Sequence, residues 1–132
     1  MYSRKRNKSI GRILIIDDDH ELVDLLKDGL EYKGYHVVTA YTGELGLEAV
    51  RLFKPQLIFL DLKLPRMSGL EVIQQMIKSA IRVPVVVVTN FGYSDMAAAV
   101  RRIGVKRILH KPVDSDTIIQ AIEEFIWKRY SF

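Results

Sequence analysis

The sequence predicts an α/β fold: a three-layer α/β/α sandwich around one parallel sheet of five strands, in the order 2-1-3-4-5. Two observations lead there. Apolar, β-branched runs of strand length alternate five times with stretches of helical periodicity. Strands alternating with helices in this way imply a parallel sheet with right-handed crossovers. Four of the runs also end in polar chemistry: 13–16 in Asp17, Asp18 and Asp19, 57–60 in Asp61, 85–88 in Thr89, and 108–109 in His110, Lys111 and Pro112. Ligands of an open parallel sheet bind outside the carboxyl ends of its strands, so these residues are expected to converge.

Each element has its own signal. Residues 12–17 read as a β-branched first strand. Over 19–33, Leu22, Leu25, Leu26 and Leu30 recur at helical spacing, with Asp19 suited to cap the start and Gly34 suited to a left-handed end. Residues 35–41 alternate as a second strand. Thr42 can cap a second helix with Leu45, Ala49, Val50 and Phe53 on its inner face, stopped by Pro55. Residues 56–61 form the third strand, and 62–68 a loop with Pro65 as its rigid point. A third helix over 69–80 faces inward through Leu70, Ile73, Met76 and Ile77.

Residues 83–89 are the most apolar run and are expected at the centre of the sheet. An alanine-rich helix over 95–103 ends at Gly104, and 105–110 supply the fifth strand. The last helix, 114–130, buries Ile118, Ile119, Ile122, Phe125 and Ile126. Five such units favour the flavodoxin-like order, in which strands one and three are neighbours and Asp17, Asp18 and Asp61 meet at the switch point.

Composition narrows the function. The 132 residues suit one domain with a continuous core, and 48% hydrophobic with 27% charged residues is ordinary for a globular protein. Cysteine is absent, which excludes disulfides and thiolate metal sites and fits a cytoplasmic protein. No run approaches the roughly 20 apolar residues of a membrane span, and the basic start lacks the apolar stretch of a secretory signal. The formal charge of +4 is local, since Arg4, Lys5, Arg6 and Lys8 stand in an acid-free stretch. Residues 1–10 therefore read as a basic, flexible tail before a domain over 11–132. An arm that touches nucleic acid or an acidic partner is the alternative for this stretch; a solvated tail is the plainer reading, and no direct nucleic-acid binding is expected.

Three carboxylates at one sheet edge repel unless a cation sits among them. Mg2+, a hard ion that takes a few carboxylates with waters and phosphate oxygens, suits this set better than zinc. One carboxylate is then free to attack phosphorus, as an aspartyl-phosphate nucleophile does. Asp61 ends a central strand and is the best candidate; Lys111 is placed to neutralise a phosphoryl oxygen, and the Thr89 hydroxyl to donate to another. N-capping and solvated strand ends are the plain alternatives for such acids. His20, His36 and His110 lack ligand spacing.

Taken together, Asp17-Asp18, Asp61 with Leu64-Pro65 and Ser68-Gly69, Thr89 and Lys111-Pro112 resemble the full signature of two-component response-regulator receiver domains of the single-domain, chemotaxis-regulator type. The resemblance covers about residues 12–128. It implies that Asp61 accepts a phosphoryl group from the phosphohistidine of a sensor histidine kinase or phosphotransfer protein. It further implies that Asp18, Asp61 and the Lys63 backbone carbonyl ligate Mg2+, with Asp17 acting through a metal-bound water. Lys111 would pair with the phosphoryl group, and its bond to Pro112 is expected to be cis. Thr89 would move inward, repacking the face of the fourth helix, fifth strand and fifth helix for a downstream effector or a homodimer partner. In this reading the chain is a phosphoacceptor rather than an enzyme acting on other substrates.

Three positions depart from the pattern. Ile108 stands where an aromatic switch residue is usual, so switching is expected through backbone or other packing. Asn90 is larger than the small residue common after the threonine and narrows access to Asp61. Neither Lys63 nor Phe91 supplies a carboxylate or amide to orient water, so slow self-dephosphorylation is expected.

Two other classes compete. A haloacid-dehalogenase-like phosphatase also uses an aspartyl nucleophile, but Lys63 stands where its second aspartate belongs. Asp17-x-Asp19 has that spacing, yet Glu21 replaces the expected Thr or Val. A binding module independent of phosphorylation would not need the intact acidic set with Thr89 and Lys111. No output domain lies within these residues, which suits a stand-alone receiver or one excised from a longer regulator. Outside the site, Arg101, Arg102, Lys106 and Arg107 form either a solvated face or a surface for an acidic partner. Trp127, Tyr130 and Phe132 either fold back on the body or join an interface.

Overall fold

A computed structural model describes residues 10–90 and 95–127. The strands are β1 (Arg12–Ile16), β2 (His36–Ala40), β3 (Leu57–Leu60), β4 (Val85–Thr89) and β5 (Arg107–His110). They alternate with helices α1 (His20–Tyr32), α2 (Gly43–Phe53), α3 (Gly69–Lys78), α4 (Asp95–Arg102) and α5 (Ser115–Ile122), the last running into a π-helical turn, Glu123–Trp127. All pairings are parallel and the order is β2-β1-β3-β4-β5, as the sequence predicts. Among the described residues no helix is long and apolar enough to cross a membrane.

Alternation along each strand sends side chains to opposite faces, and two cores result. Ile13, Ile15, Phe59, Val86 and Val88 pack beneath α1 and α5; Leu14, Ile16, Ile58, Leu60 and Val87 pack beneath α2, α3 and α4. Each fully buried aliphatic side chain contributes about 1.5–3 kcal/mol relative to exposure, so both faces of β1 and β3 hold the layers together.

Helix ends follow local chemistry. The side chains of Asp19, Thr42 and Asp114 each accept an N-terminal backbone N–H of the helix that follows. Ser68 and Glu71 form a reciprocal capping box at α3, a pairing that the S-x-x-E spacing signals and that the element reading missed. Gly34 adopts φ +106 after α1, the left-handed end expected of it.

Three helix faces differ from expectation. Leu25, Leu45 and Ile77 are exposed at 69%, 52% and 54%. On α1 the buried stripe is Val23, Leu26 and Leu30, which turns Leu25 outward. On α2 it is Gly43, Gly46, Leu47 and Val50. A Cβ on Gly46 would sit 2.5 Å from Ile16 Cδ1, so α2 approaches β1 by its glycine face and Leu45 is rotated away. On α3, Gly69, Val72, Ile73 and Met76 are buried, leaving Ile77 at the edge of the stripe.

Strand β4 is also shorter than its apolar run. It lies one place from the centre, which β3 occupies, and residues 83–85 are half-buried rather than enclosed. The last helix expected over 114–130 keeps α geometry over Ser115–Ile122 and turns to π geometry over Glu123–Trp127, while 128–130 lie outside the described residues. The expected basic tail, apart from Ile10, falls outside the described residues, as do Phe91, Tyr130 and Phe132. Ile10 N–H donates to Gly34 O across 3.1 Å.

Candidate functional site

The carboxyl ends of β1 and β3 are locked together, because Asp61 N–H donates to Ile16 O across 2.9 Å. Asp17 and Asp61 follow these strands directly and are 3% and 5% exposed. Asp18, one residue on, faces solvent. One carboxylate oxygen from each of Asp17, Asp18 and Asp61 lies within 4.8 Å of the others. The ends of β1 and β3 thus bring the three acids together, as the strand order predicts.

Lys111 closes the site from the turn after β5. Its N–H donates to Thr89 O across 3.0 Å, and the following peptide bond to Pro112 is cis, as expected. Its Nζ lies 2.9 Å from Asp17 Oδ2 and 3.0 Å from Asp61 Oδ2. The lysine therefore bridges both buried acids, a double engagement that strand-end reasoning did not anticipate. The remaining oxygens are also used: Asp17 Oδ1 accepts from Asp19 N–H at 2.9 Å and Asp61 Oδ1 from Lys63 N–H at 3.1 Å.

Electrostatics follow from this packing. Burial pushes the Asp17 carboxyl above its ordinary pKa, helped by the Asp61 charge; hydrogen bonds from Lys111 and Asp19 only partly oppose it. Burial acts to lower the Lys111 pKa, but its hydrogen bonds to Asp17 and Asp61 and their charges prevail and raise it. The centre holds three acids against one ammonium, all hard oxygen donors on the acid side. Such a set fits a hard divalent cation and offers nothing to a thiophilic one.

Above Asp61 opens a concavity of about 440 Å3, lined by Asp18, Asp19, Asp61, Lys63, Leu64, Pro65, Asn90 and Lys111. Asn90, which is expected to narrow access to Asp61, is an exposed residue of this lining. Thr89 is fully buried at the end of β4 and is not part of this wall. Ile108 is half-buried, opposite Val87 in register, and packs on the core under α3 and α4.

The loop carrying Asp61 is held from below. Gly69 N–H donates to Leu62 O across 2.9 Å, and a Cβ on Gly69 would meet Asp61 O at 2.5 Å. No other residue fits that approach without moving the loop.

The other singled-out residues stay apart from the site's chemistry. His20 stacks on Tyr41 at 3.8 Å between ring centroids, and His36 meets Phe53 edge-on at 5.0 Å. Arg107 is paired with Glu124, whereas Arg101, Arg102 and Lys106 are exposed. Trp127 folds back, its Nε1–H donating to Tyr35 Oη at 2.9 Å.

Comparison with known proteins agrees with this arrangement. The response regulator receiver domain family matches residues 13–123. The chain is 37% identical over 114 residues to transcriptional regulatory protein GlrR of Escherichia coli K12, covering 86% of this chain and 26% of that protein. It is 30% identical over 115 residues to sporulation initiation phosphotransferase F of Bacillus subtilis 168, covering 87% and 93%. Among solved structures, a CheY-like receiver domain protein from Methanospirillum hungatei JF-1 superposes with a TM-score of 0.85 at 30% identity, covering 92% of this chain and 97% of that one. The chain thus spans about a quarter of the first curated relative and nearly all of the second. Fold, site and sequence kinship lead to one conclusion: this chain belongs to the response regulator receiver domain family of two-component signalling.

Proposed function

We propose that Asp61 is the phosphoacceptor, taking a phosphoryl group from the phosphohistidine of a sensor histidine kinase or phosphotransfer protein. An Asp61 oxygen attacks phosphorus, the P–N bond breaks, and the imidazole leaves with the bonding electron pair. Lys111, already within hydrogen-bond distance of Asp61 Oδ2, follows the charge as it spreads onto the phosphoryl oxygens. The observation that carries this reading is the buried Asp61 carboxylate lying under an open concavity, with an ammonium beside it and two acids around it.

Asp18, Asp61 and the Lys63 carbonyl are the residues that would hold Mg2+, which supplies a positive charge to offset the acids and draw in phosphate oxygens. Asp17 has one oxygen on Lys111 and the other on the Asp19 amide, which favours a role through an intervening water. Thr89, Asn90 and Ile108 form the switch region. Movement of the Thr89 hydroxyl toward the phosphate would alter the surface of α4, β5 and α5, where an effector or a second copy docks. With neither carboxylate nor amide at Lys63, the acyl phosphate decays slowly. Residues 11–132 act as the receiver and 1–10 as a basic appendage, in the cytoplasm where such kinases present their phosphohistidine.

Intact mass after treatment with acetyl phosphate and Mg2+ tests the reading. Wild type should gain one phosphoryl group that is lost in acid and base, and Asp61→Asn should gain none. Equal labelling of the variant, or none of wild type, would reject Asp61.

A further inference from the structure

Two concavities adjoin along α3, separate from the one above Asp61. One, of about 400 Å3, is lined by the end of α3, the start of β4, the α4–β5 connection and Phe125. The other, of about 500 Å3, runs along α3 past Met67, Gln74 and Gln75. They share Ile77 and Ile103, which are 54% and 37% exposed. Joined across these two side chains, they make one groove between α3 and the α4–β5 connection. None of its residues lines the concavity above Asp61.

The groove explains two features that the fold leaves without a purpose: Ile77 turned outward from α3, and residues 83–85 half-buried at the start of an interior strand. Its charges are lopsided. Both acids in its walls are engaged within the protein, Glu71 in the α3 capping box and Glu124 with Arg107. Lys78 and Lys106, also in its walls, have no ion-pair partner among the described residues. Exposed Arg82, Arg101 and Arg102 stand beside wall residues in the chain.

We propose that this groove receives an acidic amphipathic helix of a partner protein. Its aliphatic floor suits apolar side chains spaced along one helix face, the helix-in-groove mode of recognition. Its cationic borders suit carboxylates flanking that face. A symmetric pair of two such grooves would bring the lysines and arginines of both copies together, which disfavours self-pairing here.

The test uses 15N-labelled full chain and a synthetic helical peptide with Leu at i, i+4 and i+7 and Glu at flanking positions. Amide shifts should cluster at Ile77, Val83, Ile103 and Lys106. Affinity should fall about tenfold for Ile103→Ser and for the Lys78→Glu, Lys106→Glu pair, both surface changes. The same peptide with Lys in place of Glu should not bind. No shifts at millimolar peptide, or equal binding of the Lys peptide, would overturn the proposal. So would concentration-dependent self-association through the same residues, because the occupant would then be a second copy. Phosphorylation of the variants on Asp61 should be unchanged, so failure here is distinguishable from failure of the phosphoacceptor assignment.

Discussion

Lys111 Nζ donates to Asp61 Oδ2 across 3.0 Å while also touching Asp17 Oδ2 at 2.9 Å. One ammonium therefore serves as the internal counter-ion for two carboxylates that the fold has removed from water. This lysine is a structural element of the fold in its own right.

Lys111→Ala should accordingly destabilise the metal-free protein, by about 3 kcal/mol, because it leaves two buried acids uncompensated. Urea unfolding in chelator measures this, and added Mg2+ should recover part of the loss. The sign with pH follows from the raised lysine pKa. The bridge contributes fully below the ordinary lysine value of 10.5 and is lost as pH climbs through the higher folded value. An unchanged urea midpoint for the variant would show that the carboxylates do not need this partner.

Asp17→Asn should act in the opposite direction. Burial raises the Asp17 pKa, so its contribution to stability is present below the ordinary carboxylate value and lost as pH rises through the folded one. Above that folded pKa the ionised Asp17 weakens the metal-free fold. The amide keeps an oxygen for the Asp19 N–H, and the metal-free variant should melt about 3 °C higher. Wild type should gain stability on Mg2+ addition and the variant much less. A variant that melts lower and responds normally to Mg2+ would contradict this account.

Gly69→Ala probes the floor of the site. The added Cβ would meet the backbone of Asp61 and Leu62 at 2.5 and 2.8 Å, where no flexible side chain can yield. Overpacking of this kind costs about 1–3 kcal/mol, and the displaced loop should slow acetyl-phosphate labelling. Gly46→Ala is the control: its clash is with the Ile16 side chain, so it should lower stability while labelling proceeds at the wild-type rate.

These contrasts show what the sequence made legible. An apolar run closed by an acid is a local signal, and once the strand order follows from the α/β alternation, Asp17, Asp18 and Asp61 must meet. Lys111 was readable as a neighbour of Asp61, but its grip on Asp17 depends on how the turn after β5 aims a long side chain, which no periodicity records. Helix faces were legible only in part. Leucine spacing on α1 admits two adjacent stripes, and Val23 rather than Leu25 is the residue that fits beneath. On α2 the decisive residue is Gly46, which a search for apolar side chains overlooks.

The terminal turn offers a last test, because Trp127 is the sole tryptophan and reports on one place. Its indole N–H donates to Tyr35 Oη at 2.9 Å, joining the π-helical turn to the residue before β2. The Tyr35 ring also lies close to Gly11, where an added Cβ would stand 3.2 Å from it, so the ring is held and the hydroxyl has a fixed position. Tyr35→Phe keeps the ring and removes this hydrogen bond. Unfolding should cost about 1 kcal/mol less, and the Trp127 emission should shift as the indole loses that partner. If phosphorylation of Asp61 repacks α5, wild-type emission should also change on adding acetyl phosphate and Mg2+, and the Tyr35→Phe baseline should already lie toward the altered value. Emission identical in wild type and variant would mean that the Tyr35 hydroxyl does not hold Trp127 in solution.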